Sequence, residues 1–263
     1  MRESHHHCMI FRSLGIAALL TILCATRVYA GSGNLLADAV NGFQRNVLDE
    51  DRYLLILSGI KTTALIAIWS VLWGSLFGGL ICRMRMSRSA WLTVPAKGFI
   101  AITRGTPLLV ILMIAYYVVF ASVNIGPVWV AIIAFGANFA AYTAEIYRSG
   151  IEGVDQGQTE AGLALGFTET QTFLHVIAPQ ALRRILPVYK GEVINLVKMT
   201  SIVGYIAVQD LTRAADIIRS RTFDAFFPLV MVAVLYFLIS WVLLMTLTRL
   251  EQHLAPERKR VRS

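Results

Sequence analysis

The chain has 263 residues, 56% of them hydrophobic, with a formal net charge of +8 and a mean hydropathy of +0.63. That is more apolar material than one soluble core needs, and it falls into separate long runs, so a large soluble domain is excluded and an all-α polytopic membrane protein is indicated. The basic residues sit at the ends of apolar runs rather than on one patch, which argues against nucleic acid as a partner and makes them determinants of topology.

Residues 1–30 begin with Arg2 and Arg12, continue as an apolar run over 14–25 and offer Val28-Tyr29-Ala30 as a small-residue cleavage site before Gly31. This is the grammar of a signal peptide, and an uncleaved signal-anchor helix fits the same residues; both put residue 31 onward on the outer side. His5-His6-His7-Cys8 reads as chance histidines in a leader, not as a metal site. Cys8, Cys24 and Cys82 are odd in number and scattered, so they form neither a disulfide framework nor a metal spacing.

Residues 31–52 are polar and form an outer-face segment. The first span runs over 53–81, with Gly74 and Gly78 at a spacing that lets another helix approach closely, mere tolerance of a bend being the other reading. Arg83, Arg85, Arg88 and Lys97 then mark a cytoplasmic loop. Gly105 and Pro107 break any helix before the next run, with Pro107 as a first-turn residue. Spans over 107–121 and 127–147 make a hairpin whose turn carries Asn124, Gly126 and Pro127. Arg148 returns the chain to the cytoplasm for a polar insert over 148–190 that also carries Arg183, Arg184 and Lys190. A fourth span over 192–208 leads to an outer loop, 209–224, whose Arg213, Arg219 and Arg221 run against the positive-inside rule. The last span, 226–247, ends in a basic cytoplasmic tail, 251–263.

The insert has legible local chemistry. Glu160 is placed in the first turn of a short helix, where the exposed N–H groups favour a carboxylate. Gly166 suits the left-handed position after that helix. Thr168 and Gln171 have capping-box spacing and open a second short helix, which is expected to stop near Ala178 because the residue before Pro179 is pushed out of the α region. Two short helices joined at a glycine suit insertion into a partner's groove.

The pattern Glu160-Ala161-Gly162, then Gly166, then Val176-Ile177-Ala178-Pro179 resembles the coupling motif of ABC-type importer permeases, with Gly162 in place of an alanine and Ala178 in place of a leucine. Gly162 is expected to loosen the first helix. Arg104-Gly105-Thr106-Pro107-Leu108-Leu109, Ala141 through Arg148, and Val197 through Val203 resemble the subgroup that handles polar amino acids of the histidine, arginine or glutamine type. The resemblance covers roughly 53–250. It implies a type I ABC importer transmembrane domain of about five core helices in the bacterial cytoplasmic (inner) membrane. It also implies a second permease subunit, identical or different, two ATPase subunits that bind ATP and Mg, and a periplasmic or surface solute-binding protein. Coupling to the ATPase falls on Glu160, Ala161, Gly162, Gly166 and Pro179.

The chain itself holds no Gly-rich phosphate loop, no His-Glu-x-x-His and no Gly-x-Ser-x-Gly, so no catalytic residues, cofactor or metal are assigned to it. Polar groups inside spans are costly and therefore informative. Asn138, Tyr142 and Glu145 share one helical face, and Asn195 and Lys198 share another. Asn138, Tyr142, Asn195, Lys198, Thr200 and Ser201 are the candidate lining of a path for a zwitterionic amino acid, with interhelical hydrogen bonding as the other reading. Met199 stands where the family pattern has an acidic residue. A secondary amino-acid carrier or channel would carry inverted repeats and broken midplane helices instead, and a non-transporting scaffold would lack an ATPase partner.

Overall fold

The computed structural model describes residues 40–254. The expected leader over 1–30, with its histidines, Cys8 and Cys24, lies outside the described residues, as do 31–39 and 255–263. Among the described residues the regular elements are helical: α1 (Tyr53–Arg85), α2 (Ala90–Gly105), α3 (Leu108–Val119), α4 (Pro127–Glu152), α5 (Gln156–Ala164), α6 (Glu169–Ile206), α7 (Leu211–Thr222) and α8 (Phe226–Leu254). Of these, α1, α4 and α8 are long and apolar enough to cross a membrane, and the number reaches five if the bent pairs α2 with α3 and α6 with α7 each make one span.

Two stretches read from the sequence as loops are helices. The basic cytoplasmic loop after the first span contains α2, which packs Ala96, Ile100 and Thr103 inward. The outer loop 209–224 contains α7. Both are too polar or too short to register as spans, yet each repeats its buried residues at helical spacing. The break at Gly105 and Pro107 is where expected, and α2 and α3 meet there at 108°. Thr106 is extended because it precedes proline. Pro107 caps α3 from outside its first turn, at φ −56° and ψ 133°, and so is not a first-turn residue. Gly126 and Pro127 start α4 as expected, with Pro127 as its first helical residue.

The described residues divide into two compact units. In the larger one, residues 57–214 with 235–254, α4 is the central rod and α1 lies along it through small residues. A Cβ added at Gly74 would fall 2.8 Å from the Gly136 carbonyl oxygen, and one at Gly78 would fall 2.9 Å from Thr143 Cβ. Gly136 in turn lies under the Trp73 indole, whose Nε1 donates to the Ile132 carbonyl at 3.0 Å. Where water cannot drive helices together, such backbone approach is what joins them. The predicted packing face of Gly74 and Gly78 is thus found against α4. α6 joins the pair through Tyr189, whose hydroxyl lies 2.6 Å from Ser75 Oγ and whose ring meets Phe139 edge-on and stacks on Tyr147.

The helix after the insert departs from expectation. Instead of ending near Ala178 and restarting at residue 192, the chain is helical from Glu169 to Ile206. One wide turn, Phe173–Ile177, has its bonds five residues apart, with the Ala178 amide donating to the Phe173 carbonyl. That turn precedes Pro179, which then occupies the start of a fresh α segment, where a missing N–H and a fixed φ do least harm. The last stretch, Thr200–Ile206, tightens to a 3-10 helix and ends at Ala207 with φ 59°.

Asp210, which lies in the expected outer loop, is fully buried. Its carboxylate accepts from the backbone amides of Thr212 at 3.1 Å and Arg213 at 2.9 Å, capping α7, and from the Tyr236 hydroxyl of α8 at 3.2 Å. Asp210→Ala strands the two amides, at about 1–3 kcal/mol for each buried group left unpaired, while the Tyr236 hydroxyl keeps Thr212 Oγ1 at 3.3 Å. A drop of several degrees in the melting midpoint of the purified protein is expected, with a smaller drop for Asp210→Asn.

In the smaller unit, residues 40–56 with 215–234, buried Asn46 donates to the Gly42 carbonyl and to Asp224 Oδ2, both at 2.9 Å. Asp224 Oδ1 accepts from the amides of Phe226 and Phe227, capping the start of α8. Arg45 reaches the Thr222 carbonyl and Arg52 the Arg45 carbonyl.

Candidate functional site: the two-helix elbow and the polar faces

The elbow is built from α5 and the start of α6. Asp155, not Glu160, caps α5: its side chain accepts from the Gly157 amide at 2.8 Å. Glu160 lies beyond the first turn, exposed, and makes no hydrogen bond or ion pair with the described residues. Gly166 takes φ +86°, and the amides of Gly166 and Phe167 return to the carbonyls of Leu163 at 2.9 Å and Gly162 at 3.1 Å. These are the crossed bonds of a Schellman end. One residue on, Thr168 and Gln171 form the capping box, with the Thr168 amide donating to Gln171 Oε1 at 2.9 Å and the Gln171 amide to Thr168 Oγ1 at 3.2 Å. The joint between the helices is therefore bonded on both sides, and Gln180 Nε2 ties α6 back to Gln158 Oε1 at 3.0 Å.

Gly162 has a role the sequence did not reveal. It is the buried residue of α5, and a Cβ there would fall 2.6 Å from Thr172 Cγ2 and 2.9 Å from its Oγ1. Glycine lets α5 close onto α6, so the departure from the motif's alanine is a packing device and not merely a loosening of the helix. Thr172 Oγ1 is buried without a hydrogen-bond partner, so nothing polar is lost when it is trimmed. Gly162→Ala is expected to pry the elbow open and lower transport severalfold at unchanged protein level. Gly162→Ala with Thr172→Ala should recover most of it, which a substrate-uptake assay on the double variant would read.

The elbow is fixed to α4 by a small core of Val154, Ile177 and Ala181, by Ile185 against Gly150, and by Arg184, whose Nη1 would lie 3.2 Å from a Cβ at Gly153. Arg183 and His175 are exposed, and His175 Nδ1 lies 2.9 Å from the Gln171 carbonyl oxygen. Outward, the elbow shows Leu163, Leu165, Phe167, Phe173 and Leu174, with Leu165 77% exposed. Ala161 and Pro179 are also exposed, so most of the predicted coupling residues lie on one outward element while Gly162 supports it from within.

The predicted path residues are more dispersed. Asn138 is buried, and Tyr142 is half-buried with the Arg104 guanidinium 4.9 Å above its ring. Glu145 is pulled toward the end of the span: it pairs with Arg148 at 2.7 Å and Arg85 at 3.6 Å, and Arg148 also meets Glu152. Asn195 and Lys198 are exposed on α6, with Asn195 one helical turn from Glu192. Thr200 is buried and spends its hydroxyl on the Val197 carbonyl at 2.7 Å, while Ser201 is half-buried. Arg104, for which the sequence leaves a structural role and substrate contact both open, joins this polar set through Tyr142. Glu192 joins it without having been predicted; its signal was a lone acid near the start of the expected fourth span.

Residues 70–257 match the family described as binding-protein-dependent transport system inner membrane component. The octopine transport system permease protein OccM of Rhizobium radiobacter is 36% identical over 79% of this chain and 89% of that protein. The probable amino-acid ABC transporter permease protein YckA of Bacillus subtilis is 38% identical over 70% of this chain and 82% of that protein. A solved structure described as an amino acid ABC transporter with histidines superposes with a TM-score of 0.71 at 37% identity, covering 76% of this chain and 94% of that one. At 20% identity the inward-facing MetNI methionine ABC transporter shares the fold, with a TM-score of 0.65. With its helical spans, its broken second helix and its outward elbow, the chain belongs to the binding-protein-dependent inner membrane components of ABC importers.

Proposed function

We propose that this chain is the permease of an ATP-driven importer of polar amino acids in the bacterial inner membrane, gripped at the Glu160 elbow by separate ATPase subunits. The observation that carries the reading is the elbow itself, a bonded two-helix element that presents an unpaired carboxylate within an apolar rim. A patch of that composition marks a docking surface. The relatives named for octopine, glutamine and other amino acids support the substrate class. In this reading two copies, or this chain and a similar one, enclose the path, two ATPases bind ATP and Mg, and a solute-binding protein delivers the ligand from outside.

Closure of the ATPase pair pushes the elbow, and the rigid link through α6 carries the motion into the span that holds Asn195, Lys198, Thr200 and Ser201. Reversing the populations of two such states takes about 5.5 kcal/mol, within reach of nucleotide binding by the partners. Asn138 and Tyr142 face the substrate path from α4 in this scheme. The direct test is a cysteine at Thr159 in the assembled complex. A crosslink to an ATPase, together with ATP hydrolysis that rises with binding protein and a polar amino acid, is expected. A chain that moves amino acids down an ion gradient with no ATPase attached would overturn the proposal.

A further inference from the structure

We propose that the bend between α1 and α2, with the first turns of α2, seats an anionic phospholipid headgroup of the cytoplasmic leaflet. From Arg52 to Ala144 the chain has no aspartate or glutamate, while Arg83, Arg85, Arg88 and Lys97 cluster around the bend. Arg85 is drawn to Glu145 at 3.6 Å. Arg83, Arg88 and Lys97 are exposed and form no ion pair with the described residues.

The fold gathers them. Thr93 Oγ1 donates to the Ser87 carbonyl at 2.8 Å and lies 3.4 Å from that of Met84, which pins the start of α2 to the end of α1. Lys97 is one helical turn beyond Thr93 on the same side, so it lies over the bend that carries Arg83 and Arg88.

α2 has three faces. Ala96, Ile100 and Thr103 point into the protein. Lys97 and Arg104, seven residues apart, share one flank. Trp91, Val94 and Ile102 point away, at 90%, 64% and 71% exposure. An outward apolar stripe with tryptophan at one end and exposed cations beside it is the pattern of a helix at the boundary between headgroups and acyl chains. The cations take the lipid phosphate, and the indole and Val94 take the upper acyl chain. A second copy meeting this patch about a two-fold axis would set cation against cation, and a free phosphate would leave the apolar stripe uncovered.

The test uses the purified full-length chain in phosphatidylcholine nanodiscs that carry a small fraction of brominated phosphatidylglycerol or brominated phosphatidylcholine. The Trp91 signal is isolated by subtracting Trp91→Phe. Phosphatidylglycerol is expected to quench Trp91 severalfold more than the same fraction of phosphatidylcholine. The preference should fall most of the way to equal quenching in each of Arg83→Gln, Arg88→Gln and Lys97→Gln, and should collapse in molar salt. These side chains are exposed, so the variants should keep the wild-type melting midpoint; the salt arm reads the same preference in unaltered protein. Equal quenching by the two lipids would mean ordinary bulk lipid and would overturn the proposal. So would no quenching by either, which means a second chain covers the face, or full relief by millimolar glycerol phosphate, which means a soluble phosphate site.

Discussion

Gly136→Ala is expected to lower the melting midpoint of the protein sharply, because a Cβ there meets the closest contact of any glycine described, 2.1 Å from Trp73. The new Cβ would lie inside the Trp73 indole, and that ring is held in place by its hydrogen bond to the Ile132 carbonyl and by the edge of Phe77, 5.3 Å away between centroids. Either the indole swings out and abandons the Ile132 carbonyl, or α1 leaves α4 and opens the approaches at Gly74 and Gly78. Overpacking alone costs about 1–3 kcal/mol and the lost bond about another 1 kcal/mol. Against a total stability of roughly 5–15 kcal/mol that is a large share. The measurement is the monodisperse fraction and melting midpoint after extraction in mild detergent. Trp73→Leu combined with Gly136→Ala should restore much of both, since the three atoms nearest the new Cβ all belong to the Trp73 indole; a double variant as poor as the single one would show that the glycine is needed for a different reason.

Glu160→Lys is expected to leave the fold intact and to cut ATP-driven uptake by about thirtyfold or more, the loss typical of truncating or reversing one partner of an interfacial charge pair. The fold is spared because the side chain is exposed, makes no bond within the described residues and does not cap its helix, a duty that falls to Asp155. Glu160→Gln should be milder, since it removes the charge without reversing it. Uptake in proteoliposomes, set beside the basal hydrolysis of the co-purified ATPase, separates weak coupling from poor assembly. Wild-type uptake by Glu160→Lys would sink the assignment of the elbow as the point of grip.

The elbow was the most legible part of the sequence because its signals are local. Gly166, Thr168 and Gln171 act on bonds within a few residues of themselves, and all three do what their spacing announced. The Gly126-Pro127 start of α4 was legible for the same reason, and the glycine pair of α1 because its four-residue spacing is visible without knowing the helix it meets. What failed depended on partners distant in sequence or on a rarer backbone form. Pro179 was read as a stop because the rule assumes regular α geometry, whereas the wide turn Phe173–Ile177 delivers it to a fresh helix start. α2 and α7 were read as loops because their charges and modest length hid them from a search for long apolar runs. Leu211, Ala214, Ala215 and Ile218 nevertheless keep a helical repeat of buried positions. Gly162 was taken as a weak point because Thr172, the side chain that requires it, is ten residues further on. Of the path candidates, Asn138 and Thr200 were identified by type but not by surroundings. Helical phase places them on faces without saying which faces another helix covers.

The seam where Gly74, Gly78 and Gly136 let α1 and α4 touch bears on temperature. Its attraction is dispersion between interlocked shapes already immersed in hydrocarbon, so separating the two rods would release almost no ordered solvent and change the heat capacity little. Cooling, which weakens joints made by expelling water, should leave this one as firm in the cold as in warmth.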